Sequence, residues 1–141
     1  NELYFDETPT LPAKNETQKM SPAVDTSSWK TYSDKNSSLN FKYKPSWKVL
    51  AVKEQNGFSI IEIDPGAKYY NIKIYVSKKD YYVVSGLPFE PIIIGGQPAI
   101  NISDLLFGVR HGEYFYTFDL GISTSLKPDF NALVNTVTFT N

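Results

Sequence analysis

The chain of 141 residues contains no cysteine. This absence excludes disulfide bonds, thiolate catalysis, zinc–thiolate sites and iron–sulfur clusters. No stretch approaches the roughly 18 consecutive apolar residues of a membrane-spanning helix. A formal net charge of −1 lacks the basic excess that a general nucleic-acid binder needs. We therefore expect no nucleic-acid partner, and membrane contact only through an anchor outside these residues.

What the chain does contain is typical of a globular protein. Hydrophobic residues make up 41% and charged residues 21%, and ten Tyr, nine Phe and two Trp are available to fill a core. The length suits one domain and is too short for two ordinary ones. We expect a single domain and a monomer.

The composition of the first 28 residues differs from that of the rest of the chain. Pro9, Pro12 and Pro22 interrupt runs of Thr, Ser, Lys, Glu and Asn, and neither a helical nor a strand period is sustained. The pattern predicts a disordered or extended tether over residues 1–28, followed by one domain over residues 29–141. This composition fits two interpretations equally: a spacer that holds the domain away from a membrane or wall, and an ordinary flexible terminus. Because the chain starts at Asn1 without Met, we expect that a signal peptide, lipid anchor or membrane anchor was removed upstream, or that the boundary is a cloning choice.

After residue 28 the hydrophobic pattern changes to a period of two. Leu39, Phe41 and Tyr43 alternate with polar residues, which predicts a strand with one wet face. Pro45 ends that strand, and Trp47 begins the next as a large core anchor.

The same reading predicts further strands and turns along the chain. Residues 79–85 fit either a short helix or a strand, and β-branched Val83 and Val84 favour an extended or irregular backbone. The strands are predicted at 57–63, 70–76, 98–103 and 114–120, the last apolar enough to be central, and the turns at 54–57 (an Asn-Gly hairpin), 64–66 and 95–96.

The end of the chain switches to a helical period. Phe130, Leu133, Val134 and Val137 fall at i, i+3, i+4 and i+7, which predicts an amphipathic helix, and "VTFT" at 137–140 closes as a strand. The fold class we predict is α+β, a mostly antiparallel sheet with helix cover.

Three phrases stand in an order that resembles the PsbP-like superfamily. They are "WKTYSDKNSSLNFKYKPSWKV" at 29–49, which contains "FKYKPSW" at 41–47, then "GGQPA" at 95–99 and "FNALVNTVTF" at 130–139. Two departures are slight, since Lys44 is inserted before Pro45 and Val137 replaces the usual aromatic. The resemblance covers the chain from Trp29 to Thr140 and implies an α/β/α sandwich around an antiparallel sheet, often behind a lipoprotein signal or a single membrane helix.

The only histidine, His111, follows the only arginine, Arg110. No nucleophile elbow or triad spacing accompanies His111, and a histidine beside Gly112 is typical of an exposed turn. Arg110 is able to bind a carboxylate or phosphate, although an exposed loop arginine is the ordinary case. We keep both residues as ligand-binding candidates and assign no catalytic residue.

Two tyrosine pairs are the other ligand-binding candidates. Tyr69 with Tyr70, and Tyr81 with Tyr82, each present one outward ring if they lie in strands. Exposed tyrosine suits contacts with a glycan or a protein, because it combines apolar area with a hydroxyl.

The sequence therefore predicts an extracellular or cell-surface bacterial domain, membrane-anchored in the full-length protein, that binds or scaffolds a protein or glycan partner without catalysis. Its acids are scattered without calcium-loop spacing and its glycines form no phosphate loop, so we expect neither a metal nor a cofactor. Two alternatives stay open, a hydrolase that uses His111 with an acidic residue and a cytoplasmic protein-binding adaptor.

Overall fold

The computed structural model of the chain describes residues 24–50, 52–55, 57–66, 69–78 and 90–140. These residues form mostly β-strand with one short α-helix, α1 (Lys127–Asn135), which a single 3₁₀ turn (Thr124–Leu126) precedes. The strands are β1 (Lys30–Ser33), β2 (Leu39–Tyr43), β3 (Lys48–Val49), β4 (Lys53–Gln55), β5 (Phe58–Asp64), β6 (Ile72–Ser77), β7 (Glu90–Ile94), β8 (Gln97–Ser103), β9 (Leu106–His111), β10 (Tyr114–Asp119) and β11 (Thr138–Phe139).

The strands form two sheets in which every described pair is antiparallel. The small sheet has the order β1-β2-β11, and the large sheet has the order β3-β5-β6-β10-β9-β8-β7, with β4 also paired to β5. Neighbours in sequence are mostly neighbours in space, as short hairpin connections require. The predictions of a mostly antiparallel sheet and of a helix near the end of the chain are confirmed.

Several strands and turns predicted from the alternation are confirmed. The strand at Leu39–Tyr43 is β2, and β4 pairs with β5 as the predicted hairpin requires, with Gln55 opposite Phe58 and a positive φ at Gly57. Strand β10 lies between β6 and β9, well inside the large sheet, as its apolar composition predicted. The alternatives for residues 79–85 lie outside the described residues.

Two predicted boundaries, the start of β6 and the end of α1, were wrong by two residues. Strand β6 begins at Ile72 rather than at Tyr70, because the Tyr70 N–H donates its hydrogen bond to the Ser123 hydroxyl at 3.0 Å and not to a neighbouring strand. Helix α1 ends at Asn135, so Val137 lies beyond it; Val137 is nonetheless buried, in the link to β11. The i+7 spacing therefore identified a core residue but not the length of the helix.

One hydrophobic core joins both sheets and the helix. Leu39 and Phe41 from β2 meet alternate residues of the large sheet and the apolar side of α1 in a single buried cluster. Phe130 of α1 stacks on Phe107 of β9 with ring centres 5.7 Å apart. Trp47 is buried, as predicted, and lies 6.0 Å from Trp29, while Val24 packs against the same cluster from within the predicted tether.

The large sheet has two chemically different faces where β5, β6 and β10 run side by side. Ile61, Ile74 and Phe118 point to the shared core. Because successive side chains of a strand point to opposite faces, the residues between them point the other way. At the end of this second face those residues are charged, and the candidate site lies there.

Candidate functional site

Three charged residues form a row across the neighbouring strands β5, β6 and β10 of the large sheet. Glu62 of β5 lies directly opposite Lys73 of β6, and Lys73 lies directly opposite Asp119 of β10. Directly opposed residues have Cβ atoms about 5 Å apart, so the lysine lies between two carboxylates. The two acids are about 10 Å apart across the sheet, since neighbouring strands are spaced by about 4.8 Å.

The carboxylate of Glu62 is firmly held. Asn71 donates a hydrogen bond to its Oε2 at 3.0 Å, and the Lys53 ammonium lies 3.2 Å from its Oε1. The Asn71 hydrogen bond is the largest cause of a lowered pKa for Glu62; Lys53 and the charge of Lys73 act in the same direction, while burial opposes them. Glu62 is therefore an ionised acceptor at neutral pH.

Asp119 occupies the last position of β10, where it shapes the turn that follows. Its Oδ1 accepts a hydrogen bond from the Gly121 N–H at 2.8 Å, which bends the chain back along the edge of the site. The same turn brings Ser123 close to Tyr70, and the backbone N–H of Tyr70 donates a hydrogen bond to the Ser123 hydroxyl. The loop before β6 and the loop after β10 are thus tied together.

Aromatic side chains complete the surroundings of the charged row. Tyr69 and Tyr70 are 39% and 66% exposed, and Tyr75 lies beside them in β6 with its ring against Phe58 at 5.5 Å. Together they enclose an open cleft of about 580 Å³, within the range of small-ligand sites. We call it the Tyr70 cleft, lined by Glu62, Tyr69, Tyr70, Lys73, Tyr75 and Asp119.

Two of the four tyrosines predicted from the sequence therefore lie in this cleft. Tyr69 and Tyr70 both point outward, although alternation predicted only one, because they lie ahead of β6 in a loop and not within the strand. Tyr81 and Tyr82 lie outside the described residues.

The other two predicted residues lie elsewhere in the sheet. Arg110 is exposed on β9, beside a separate apolar groove of about 240 Å³ that Ile100 and Phe115 also line. His111 is the last residue of β9 and not part of an exposed loop; its ring stacks on Phe139 at 4.5 Å and is half-buried. The structure does not bring either residue into the Tyr70 cleft.

The position of His111 also bears on acid–base chemistry. His111 lies opposite Tyr114 at one end of β10, and Asp119 is at the other end, about 17 Å away at about 3.4 Å per residue. The side chains of His111 and Asp119 also belong to opposite faces, because His111 continues the core-facing series of Phe107 and Val109. A proton relay between this histidine and the acids of the cleft is therefore geometrically excluded.

The cleft residues that sequence reasoning missed are the polar ones. Glu62, Lys73 and Asp119 each occupy a solvent-facing position of a predicted strand, so the alternation of the sequence predicts that they point outward. Their adjacency was not, because it depends on β10 pairing with β6 across more than thirty intervening residues. No sequence spacing encodes that register.

The pKa of Glu62 bears on whether this residue could serve as a general acid. A general acid in a glycosidase carries a raised pKa, whereas the pKa of Glu62 is lowered. Within the described residues, no three His, Asp or Glu side chains gather as a metal site would require. Among the described residues, the cleft presents the side chains of Glu62 and Asp119 as acceptors, Lys73 as a donor and exposed rings.

Among the described residues no helix has the length and apolar character needed to span a membrane. Comparisons with known protein families, with curated proteins and with solved structures find no match for this chain.

Proposed function

We propose that this protein is a non-catalytic, extracytoplasmic bacterial domain that binds or scaffolds a partner at the cell surface through the Tyr70 cleft. The single observation that carries the proposal is the pair of exposed tyrosines, Tyr69 and Tyr70, at the rim of a cleft whose floor is a carboxylate–lysine–carboxylate row. Exposed rings beside fixed polar groups are what a recognition surface uses, since the rings supply area and the polar groups supply orientation.

The proposed fold type is that of the PsbP-like superfamily, an α/β/α sandwich. Its support is that each of the three resembling phrases coincides with a turn or with the end of a structural element. "FKYKPSW" covers the end of β2 and the turn after it, "GGQPA" covers the turn between β7 and β8, and "FNALVNTVTF" runs from α1 into β11. Each phrase therefore marks a place where the chain changes direction.

The proposed location rests on composition. The proline-punctuated, polar character of residues 1–28 suits a spacer between a membrane anchor and a folded domain. We propose that the domain is displayed on the outer surface as a monomer, anchored in the full-length protein, and that its partner is a component of the envelope.

Binding of the purified domain to isolated bacterial cell envelopes tests the proposal. We expect sedimentation with the envelopes, and we expect the Tyr70→Ala variant to lose most of that binding because it removes the more exposed ring of the cleft. Arg110→Ala is the control, since Arg110 is exposed on a different part of the sheet. Loss of binding in the Arg110 variant with retention in the Tyr70 variant would place the binding surface at the other groove and refute the proposal.

A further inference from the structure

The polar groups of the Tyr70 cleft are arranged in alternating order. Lys73 donates, and Glu62 and Asp119 accept on either side of it. No described residue forms an ion pair with Lys73 within 4.0 Å, so its ammonium remains able to donate to a ligand. A donor between two acceptors matches neighbouring hydroxyl groups, because each hydroxyl both donates and accepts.

The charges of the row bear on what the ligand can carry. Two carboxylates disfavour a polyanion, and the lysine between them disfavours a cation placed at the centre of the row. Glu62 already has two partners, Asn71 and Lys53, so it has little need of a cationic ligand. A neutral molecule is the best electrostatic match.

The rings supply the remaining contact. Tyr70 is exposed over two thirds of its surface and Tyr69 over more than a third, so both offer a face to a ligand. The backbone N–H of Tyr70 donates a hydrogen bond to the hydroxyl of the buried Ser123, which holds the backbone at Tyr70 in place. Pre-positioned tyrosines provide apolar area at low entropic cost, and the C–H face of a pyranose ring is a flat apolar surface of matching size.

We propose that the Tyr70 cleft binds a neutral oligosaccharide, with a sugar ring stacked on Tyr70 and adjacent hydroxyls hydrogen-bonded to Lys73 and Asp119. This inference rests on the proposed binding function and names its ligand class. The volume of about 580 Å³ suits a short stretch of a glycan chain.

Isothermal titration of the whole chain at neutral pH with defined tetrasaccharides tests the inference. The neutral probes are cellotetraose, maltotetraose, mannotetraose and the N-acetylglucosamine tetramer; the charged probes are tetragalacturonate and the glucosamine tetramer. We expect at least one neutral probe to bind, and both charged probes to bind at least tenfold more weakly than it does.

Variants then locate the site. Tyr70→Ala is expected to weaken the binding of that neutral probe by about tenfold or more, while Tyr70→Phe keeps the ring and stays within about threefold. Lys73→Met, which keeps the aliphatic stem and loses the donor, is expected to weaken binding by about tenfold. Circular dichroism of each variant confirms that it is folded.

The outcomes separate this inference from the proposed function. If none of the neutral probes binds, or if a charged probe binds more tightly, the saccharide inference is overturned, while Tyr70-dependent binding to envelopes would still stand and would point to a protein partner. If saccharides bind equally well to wild type and to Tyr70→Ala, the site is elsewhere and the inference is also overturned.

Discussion

At the scale of single residues, Glu62 is the group whose environment the fold has changed most clearly within the cleft. Its lowered pKa means that the folded state prefers the ionised carboxylate, so this residue stabilises the fold at pH values above the ordinary glutamate pKa. That contribution is lost as the pH falls through the lower pKa of the folded state. The direction of this pH dependence follows from the Asn71 hydrogen bond and the Lys53 ion pair, which both favour the charged form of Glu62.

The Glu62→Gln variant is therefore expected to be less stable than wild type by about 1 kcal/mol near pH 7. The difference in the free energy of unfolding should vanish at pH values below the lowered pKa of Glu62 in the folded state, where both side chains are neutral. Urea unfolding of the variant and of wild type at a series of pH values measures this difference. Glu113→Gln is the matched control, because Glu113 pairs with Lys78 at the surface with both side chains about 70% exposed, and such pairs contribute little. A constant gap between Glu62→Gln and wild type at every pH would contradict this account.

At the scale of elements, the short strand β11 depends on a close approach to the turn between β7 and β8. A Cβ atom added at Gly95 would lie 2.7 Å from Cε2 of Phe139, and Phe139 is itself stacked on His111 and packed against Tyr116. Gly95 also has a φ of +59°. The small sheet is thus joined to the large one at a point where no side chain fits.

Substitution of the two neighbouring glycines separates conformation from contact. Gly96 has a positive φ as well, but a Cβ there meets nothing within 4 Å. We expect Gly96→Ala to cost about 1 kcal/mol for its backbone conformation, and Gly95→Ala to cost about 1–3 kcal/mol more because the Phe139 ring must move. Urea unfolding of both variants measures the difference. Equal losses would mean that β11 is free to shift without cost.

Helix α1, which leads into β11, shows which features hydrophobic periodicity predicts and which it does not. The i, i+3, i+4 spacing of Phe130, Leu133 and Val134 placed α1 and its buried side correctly. The end of the helix did not follow from spacing, because Thr136 caps it: its hydroxyl donates to the Leu133 carbonyl and accepts from the Lys42 N–H. The second of those bonds comes from β2, nearly a hundred residues earlier in the chain.

At the scale of the whole molecule, one core serves two sheets and a helix, so the described residues are expected to unfold as a single cooperative unit. Val24 packs at the edge of that core. The tether hypothesis then predicts that a chain starting at Val24 has the same urea midpoint and the same slope of unfolding as the full chain, because a solvated tether buries no apolar surface. A lower midpoint for the shortened chain would show that residues 1–23 stabilise the domain.

The sequence by itself determined the local features of this protein: its mostly antiparallel strands, the direction in which Glu62, Lys73 and Asp119 point, and an outward ring in the pair of Tyr69 and Tyr70. Alternation and turn residues carry that information because side-chain direction in a strand depends only on the parity of neighbouring positions. Only the tertiary structure decided that those three charges lie side by side, that both tyrosines are exposed and that His111 is remote from them. The physical reason is that strand order and register arise from burial of the whole core, a property that no short segment of the chain contains.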